Sequence, residues 1–288
     1  MSGRAHTQRK SSGGSQPSTH GARPPLRLEW ARWSRAALPY VIPPLVAVLL
    51  GAVAWELYVE ISNESKFILP RPSAVGETLF SDVDFFAREG LRTFLVAAGG
   101  LAIGTSAALA LATVMAHSRT LERALLPIAI MVKVTPIVAV APLFVIWFGF
   151  GWQPKVAVAA LITYFPVLIN GIVGFRDVDP RTLDFMRSVH ASQREVFIHL
   201  RFPSGLPYLF AALKIAATLS LIGAVVAEFF AAGQGGLGSV IFIENNNQAI
   251  DRVFAAVITL AVIGVLMNTA ITLAERYVLS WHRSTLMS

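Results

Sequence analysis

The chain has 288 residues, no cysteine and a formal net charge of +7. Apolar residue types make up 55% of it and charged types only 14%, whereas an ordinary soluble domain has about 25% charged residues. Without cysteine, the chain can form neither a disulfide framework nor a thiolate site. The composition therefore excludes a soluble domain, a disordered chain and a disulfide scaffold, and it indicates a membrane protein.

The first 37 residues differ in composition from the rest of the chain. They are rich in Ser, Gly and Pro, and they contain seven Lys and Arg residues. Such a segment buries too little apolar surface to offset its ordering entropy, so residues 1–37 are predicted to be a disordered, basic cytoplasmic tail. A basic tail beside a membrane span is mostly a topology signal, and no nucleic-acid partner is expected. The first apolar run starts too late, and is too long, for a cleaved signal peptide.

Several stretches of the chain have the length and composition of membrane spans. Windows of about twenty residues, the length that a helix needs to cross a bilayer, are free of Asp, Glu, Lys and Arg at 36–55, 93–115, 134–154, 156–175 and 253–274. A further apolar helix is interrupted only by Lys214, whose side chain can extend to the membrane surface. The sequence thus predicts an all-α protein with six transmembrane helices at 38–60, 92–115, 124–148, 155–175, 207–232 and 252–275. Prolines 127, 136 and 142 make the third of these the least regular.

Basic residues predict how the six helices are oriented. Of the 24 Lys and Arg residues, 16 lie in segments that are cytoplasmic if the N-terminus is, and six lie on the other side. Since basic residues accumulate on the cytoplasmic side of a membrane, both termini are predicted to be cytoplasmic. The predicted organisation is then a periplasmic segment at 61–91, a five-helix core at 92–275 with a cytoplasmic loop at 176–207, and a cytoplasmic tail at 276–288.

The sequence lacks the residues that several kinds of membrane chemistry need. All six histidines lie outside the predicted spans, so no intramembrane metal site or general base is expected. The acids in the spans lie near helix ends, which leaves no proton relay: they are Glu56, Glu60, Glu228 and Glu275. Residues 233–238 match G-x-G-x-x-G but follow an apolar helix, so they predict a tight turn and not a dinucleotide site. The chain is therefore predicted to be no enzyme and to bind no cofactor, and any uphill transport must draw its energy from another chain.

The loop at 176–207 has mixed charge and two short helical patterns. Asp179 and Pro180 are start signals for the first helix. Apolar residues recur along the first pattern, and an apolar patch in the second ends before Pro203: Leu183, Met186 and Val189, then Val196, Phe197 and Leu200. A short amphipathic helix that projects from a membrane domain is suited to dock into a partner's groove. The alternative is a helix that lies on its own membrane domain.

The same loop resembles a motif of the permease subunits of binding-protein-dependent ABC importers. That motif reads roughly E-A-A-x-x-x-G-A-S, then a phenylalanine, then L-P-x-x-x-P. The chain keeps Ala191, Ser192, Phe197, Pro203 and Pro207, and it has Asp184 in place of glutamate, Phe185 and Met186 in place of the two alanines, and His190 in place of glycine.

Other segments resemble the same family in the expected order. They are I-L-P-R-P-S at 68–73, T-P-I-V-A-V-A-P-L-F-V-I-W-F-G at 135–149, A-V-V-A-E at 224–228 and G-L-G at 236–238. Over residues 38–283 the chain is similar to the group of nitrate, sulfonate, taurine, riboflavin and hydroxymethylpyrimidine permeases. The sequence at 214–219 and 222–229 resembles the riboflavin and pyrimidine branch more than the sulfonate branch.

The resemblance implies a type I ABC importer permease in the bacterial inner membrane, surrounded by membrane lipid. Its implied partners are two ATPase subunits, a second permease copy in a homodimer, and a periplasmic or lipid-anchored solute-binding protein. The implied residues of the ATPase-coupling loop are Asp184, Phe185, Met186, Arg187, His190, Ala191, Ser192, Gln193, Phe197, Pro203 and Pro207.

Polar or kinked residues within the spans are candidates for the substrate path. They are Thr135, Pro136, Tyr164, Asn170 and Ser220. The alternative is that the hydroxyls bond their own backbone and that Asn170 bonds a neighbouring helix. Two other functions stay open at this point: a stand-alone secondary carrier, which would need inverted repeats that the sequence does not display, and a membrane scaffold without transport.

Overall fold

The computed structural model describes residues 26–62 and 68–280. Within these ranges the chain is helical and contains no strand. The helices are α1 (Leu26–Ser62), α2 (Pro72–Ser81), α3 (Val83–His117), α4 (Arg119–Val134), α5 (Ile137–Phe148), α6 (Trp152–Arg176), α7 (Pro180–Ser188), α8 (Gln193–Val196), a π-helix (Phe197–Arg201), α9 (Phe202–Phe230), α10 (Leu237–Asn246) and α11 (Ile250–Val278).

The chain divides into two units, Met1–Ala54 and Trp55–Ser288. Of the segment predicted to be disordered, residues 1–25 lie outside the described residues. Residues 26–37 differ from that prediction, because α1 already begins at Leu26. They are rich in Leu, Arg and Ala, which have high helix propensity.

Five helical runs are long and apolar enough to cross a membrane: Ile42–Ser62, Val83–His117, Trp152–Arg176, Gln193–Phe230 and Ile250–Val278. The predicted third span is instead two helices, α4 and α5, which meet at 96°. The break falls at Thr135, whose ψ of 125° is extended. A residue that precedes a proline, here Pro136, is biased away from helical backbone angles, which explains the position of the break.

Helices α3, α6 and α9 form the centre of the second unit. Gly100 on α3 faces Ala159 on α6, and an added Cβ there would lie 2.9 Å from the Ala159 carbonyl carbon. On α9, a Cβ at Gly223 would lie 2.9 Å from the Ala159 Cα. These glycines therefore permit close helix packing, and small residues at helix interfaces are typical of membrane proteins.

The fifth span starts earlier than predicted. Its helical run begins at Gln193 and passes through the π-helix into α9, so the second pattern in the loop is the beginning of the span and not a separate helix. Ser192 and Glu195 form a capping box at its start, with the Ser192 N–H donating to Glu195 Oε2 at 2.7 Å. Pro203 lies at the beginning of α9, directly after the π-helix, so the continuous run lacks one backbone N–H donor at this point.

Lys214, whose side chain the sequence predicts to extend to the membrane surface, has a partner on α11. Its Nζ lies 2.5 Å from Glu275 Oε2 on α11. The described residues of the segment at 61–91 include α2 and the start of α3. Arg252 of α11 binds Asp82 Oδ2 at 2.7 Å and Glu244 Oε1 at 3.0 Å, which fixes these elements together.

Candidate functional site

The bundle formed by α3, α6 and α9 carries a different connecting segment at each of its two ends. We call the end that carries residues 176–207 the loop end, and the end that carries residues 233–238 the turn end. Helices α3 and α6 run from the turn end to the loop end, and α9 runs back. The predicted coupling residues lie at the loop end.

Helix α7 begins where the sequence predicts. The Asp179 side chain accepts a hydrogen bond from the Arg181 N–H at 3.0 Å, and Pro180 occupies the first helical position. None of the residues of α7 is buried. Phe185 is 64% exposed, whereas Leu183 and Met186 are half-buried. The helix therefore packs one side on its own domain and still exposes an apolar side chain.

His190 occupies the position at which the family motif has glycine, and its backbone conformation explains why glycine suits this position. Its φ is +57°, a left-handed conformation that glycine adopts most easily and that His tolerates better than most residues. The Ala191 N–H donates to the Met186 carbonyl at 3.0 Å, and the His190 N–H donates to the Arg187 carbonyl at 3.0 Å. These two bonds form a Schellman motif that ends α7. His190 therefore makes a turn of the kind that glycine commonly makes at the end of a helix.

An aromatic cluster attaches the loop to the membrane helices. The Phe197 ring lies 5.2 Å from the ring of Phe175 on α6 and 5.1 Å from that of His117 on α3. Phe202, at the start of α9, lies 6.2 Å from Phe197. Arg201 adds a hydrogen bond of 3.0 Å to the Ala116 carbonyl at the end of α3. The loop therefore contacts the ends of three membrane helices directly.

The remaining predicted loop residues fall into two groups. Exposed ones are Asp184, Phe185, Arg187, His190, Ser192 and Gln193, and half-buried ones are Met186, Ala191, Phe197, Pro203 and Pro207. The structure therefore brings together an exposed surface and the residues that support it. Which of them touch an ATPase stays a prediction.

Two of the predicted substrate-path residues line a cavity. Thr135 and Pro136 lie at the break between α4 and α5, beside a space of about 580 Å³ whose other walls include Phe165 and Leu219. The Thr135 hydroxyl also donates to the Met131 carbonyl at 3.1 Å, within its own helix. The break therefore places an irregular, accessible backbone against the core, as broken helices in transport proteins do.

The other three predicted path residues are not among those that line this cavity. Asn170 Nδ2 donates to the Pro166 carbonyl at 2.8 Å, so it bonds its own helix and not a neighbour. The hydroxyl of Ser220, which is fully buried, donates to the Ala217 carbonyl at 2.8 Å. Tyr164 packs edge-on against Phe165 at 5.3 Å. A role for these residues in the path stays a prediction.

Sequence reasoning missed a buried polar network at the turn end. The Glu228 side chain is fully buried, and its carboxylate accepts hydrogen bonds from the Thr93 hydroxyl at 3.0 Å and from the Gly238 N–H at 2.8 Å. Thr93 in turn accepts the Leu237 N–H at 2.8 Å. Glu89 Oε2 accepts the Gly236 N–H at 2.7 Å. Helices α3 and α9 therefore hold the turn through the backbone of its glycines.

Lys155 completes this network from α6. Only 4% of the residue is exposed, and its Nζ donates to the Gly235 carbonyl at 2.8 Å. Beside the network lies a space of about 700 Å³ whose walls include Arg92 and Trp152. Buried charged groups are stable only when they are paired or hydrogen-bonded. Lys155 and Glu228 both have hydrogen-bond partners.

The turn itself requires glycine, as the motif suggested. Gly236 has a φ of +100°, and an added Cβ there would overlap the Glu228 carboxylate. A Cβ at Gly238 would lie 2.6 Å from the Val225 carbonyl oxygen. The signal that could have revealed the network is an acid at the end of an apolar helix, followed by a glycine turn whose N–H groups need acceptors.

Known proteins place this architecture in a family. Residues 100–280 match the family described as binding-protein-dependent transport system inner membrane component. The chain belongs to this family and is a permease subunit of an ABC importer, a multi-pass protein of the inner membrane. The family implies an ATPase and a solute-binding protein as partners.

Three relatives are similar to this chain over most of its length. The riboflavin transport system permease protein RibX of Chloroflexus aurantiacus is 35% identical over 260 residues, which are 89% of this chain and 94% of the relative. The formylaminopyrimidine transport permease protein ThiX of Halalkalibacterium halodurans is 30% identical over 245 residues, covering 84% and 96%. The putative aliphatic sulfonates transport permease protein SsuC of Escherichia coli is 30% identical over 255 residues, covering 87% and 94%.

A solved structure shares the fold. A chain from inward-facing conformations of the MetNI methionine ABC transporter superposes with a TM-score of 0.54 and is 17% identical, covering 66% of this chain and 93% of that chain. The predicted all-α, type I importer fold is therefore confirmed. The predicted orientation of the termini stays a prediction.

Proposed function

We propose that two copies of this chain form the path for a small ring compound of the riboflavin or thiamine-precursor pyrimidine type. Two copies of a separate ATPase would supply the energy, and a periplasmic or lipid-anchored binding protein would deliver the solute. In this proposal the loop end faces the cytoplasm, as the distribution of basic residues predicts.

The single observation that carries the coupling role is the contrast within the loop. Phe185 is 64% exposed on a helix without buried residues, while Phe197 and Arg201 attach the same loop to three membrane helices. An exposed phenylalanine gains roughly 2 kcal/mol when a partner buries it. A partner that binds Phe185 and closes can therefore pull on the spans, which is a ligand-biased change between two states.

The choice of substrate class follows from the relatives and from the cavity at the helix break. RibX and ThiX transport ring compounds by their names, and both match this chain over more than four fifths of its length. The walls of the cavity at Thr135 and Pro136 are largely apolar side chains, with Lys133 also among the lining residues, and such walls suit a flat ring. Sulfonates and taurine are the second candidates, because SsuC and the taurine permease TauC of Escherichia coli also match.

The coupling role is tested by co-purification of the ATPase with the permease in mild detergent. Phe185→Ala is expected to reduce the bound ATPase about tenfold or more, which is the usual effect of losing an interface hot spot. Phe80→Ala is the matched control, because Phe80 is 80% exposed but lies on α2. Equal retention of the ATPase by both variants would contradict the proposal.

The substrate class is tested by uptake in cells that express this chain with its ATPase and binding protein. Labelled riboflavin, hydroxymethylpyrimidine, taurine and nitrate are compared, and uptake of one of the first two is expected. Ion-coupled uptake by the permease alone would support a secondary carrier instead. Assembly with the ATPase but accumulation only of taurine or nitrate would leave the coupling role intact and overturn the substrate.

The absence of cysteine makes the orientation simple to test. Single cysteines are introduced as Arg181→Cys in α7 and Asn246→Cys in α10, both at exposed positions. A membrane-impermeant maleimide added to intact spheroplasts is expected to label the second variant and not the first. Labelling of the first alone would reverse the assigned orientation.

A further inference from the structure

A basic cavity lies at the loop end, apart from the surface offered by Phe185. It has a volume of about 360 Å³ and lies where α3 and α6 end and where α4 and the fifth span begin. Four arginines line it, each from a different element: Arg119, Arg176, Arg187 and Arg201. His117, at the end of α3, adds an imidazole.

Two of these arginines are fixed in position by the end of α3. Arg176 Nη2 donates to the Met115 carbonyl at 2.9 Å and also pairs with Glu122. Arg201 Nη1 donates to the Ala116 carbonyl at 3.0 Å. The last carbonyls of a helix have no partner within the helix and attract cations. Both guanidinium groups are thus held in place before any ligand arrives.

The charge around the cavity is not balanced by the protein. Glu122 pairs with Arg176, and Asp184 pairs with Arg187 at 3.1 Å in an exposed contact that contributes little. In residues 42–62 and 68–280, no carboxylate lies within salt-bridge distance of Arg119 or Arg201. A concave surface with excess guanidinium groups is suited to a phosphate, since each guanidinium can donate two parallel hydrogen bonds to its oxygens.

The position of the cavity favours a lipid headgroup as the source of that phosphate. The cavity lies at the ends of helices that are long enough to cross a membrane, which is the depth of the lipid headgroups. Phe175 and Leu183 give it apolar walls beside the arginines. Basic pockets between transmembrane helices on the cytoplasmic side bind anionic headgroups. We infer that this cavity binds the phosphate of an anionic phospholipid, such as phosphatidylglycerol.

A lipid in this cavity would contact elements that the protein itself joins only weakly. Arg187 belongs to α7, which has no buried residue, and Arg119 belongs to the start of α4. One phosphate between them ties the projecting helix to the membrane helices at an exposed point of the loop. The composition of the bilayer would thereby influence how firmly α7 is held.

The test uses the full-length permease in detergent, with lipid adducts counted by native mass spectrometry during titration with dioleoyl phosphatidylglycerol. The double variant Arg119→Gln/Arg187→Gln removes two cavity arginines that are both exposed, and it is expected to weaken binding about thirtyfold. The control Arg123→Gln/Arg181→Gln removes the same charge from the same two helices at exposed positions that do not line the cavity. It is expected to bind as the unchanged protein does.

Three further results would overturn the inference. One is equal binding by the two double variants. Another is the lack of a preference for an anionic amphiphile. This would be seen as binding of dioleoyl phosphatidylcholine as tight as that of phosphatidylglycerol, or as competition by inorganic phosphate at the concentration of the lipid. The third is loss of ATPase assembly in Arg119→Gln/Arg187→Gln with unchanged lipid binding, which would assign these arginines to the partner protein.

Discussion

The two ends of the helix bundle treat their polar and apolar groups in opposite ways. At the loop end, α7 has no buried residue and exposes Phe185 and the Asp184–Arg187 pair. At the turn end, Glu228 and Thr93 are fully buried, and their hydrogen bonds join residues as much as 144 positions apart in sequence. At the loop end, the exposed apolar side chain would gain free energy if a partner buried it. At the turn end, the buried polar groups stabilise the fold through their hydrogen bonds. Substitutions at the turn end should therefore reduce stability, and those at the loop end should leave it nearly unchanged.

The largest effect is expected for Glu228→Ala at the turn end. The substitution leaves the Gly238 N–H and the Thr93 hydroxyl without their acceptor in a buried site. We expect a loss of about 3 kcal/mol in the free energy of unfolding, seen as a fall in the thermal midpoint of the detergent-purified protein. Glu77→Ala, at an exposed position on α2, is the control and should change little. A midpoint that is the same for both variants would show that the network does not hold the turn.

Gly236→Ala should cost about 2 kcal/mol or more, because its φ of +100° is strained for alanine and its Cβ would displace the Glu228 carboxylate from its partners. Gly233→Ala is a close match for comparison. Its φ is +87°, but an added Cβ would have nothing within 4 Å. The free energy of unfolding should therefore fall less for Gly233→Ala, by about 1 kcal/mol from strain alone. The thermal midpoint should fall less accordingly. The difference between the two variants measures the steric part, and its absence would argue against the close fit of the turn.

His190→Gly at the loop end is expected to stabilise the protein slightly, by up to about 1 kcal/mol. The residue already has a left-handed backbone, and glycine adopts that conformation without steric cost. Because the change is local, protection of the α7 amides in hydrogen exchange is the sensitive measurement. Faster exchange in the variant would contradict the left-handed assignment, since glycine would then only add freedom to the unfolded chain.

The smallest effect on stability is expected for Phe185→Ala. Because Phe185 is 64% exposed, removal of its ring should change the free energy of unfolding by less than about 0.5 kcal/mol. The same variant should lose most of its ATPase binding, so that stability and assembly separate. A large drop in thermal midpoint would mean that Phe185 packs on its own domain after all.

The sequence was informative where the signals are local. The Asp179–Pro180 start of α7, the glycine turn and the irregular third span depend on neighbouring residues, and each was predicted. The Schellman motif at His190 is also local, but only the backbone angle revealed it, because His is an uncommon choice there.

Long-range features were beyond the sequence because no local pattern encodes them. The hydrogen bond between Thr93 and Glu228 joins residues 135 positions apart, and neither residue has a neighbour that specifies its partner. The same holds for Lys214, whose pairing with Glu275 depends on how α9 and α11 pack. Neither the 96° break nor its exact start at Thr135 follows from counting prolines, since a proline can also kink a continuous helix.

The helical run Gln193–Phe230 has a mechanical consequence for the whole unit. It is 38 residues long, or roughly 57 Å at the usual rise of an α-helix. Its first residues belong to the predicted docking loop, and Glu228 near its last turn holds the backbone of the glycine turn. A rotation at Gln193 would therefore be transmitted to the glycine turn along one continuous helical run. The π-helix at Phe197–Arg201 is an irregular turn within this run, of the kind that often occurs at functional sites.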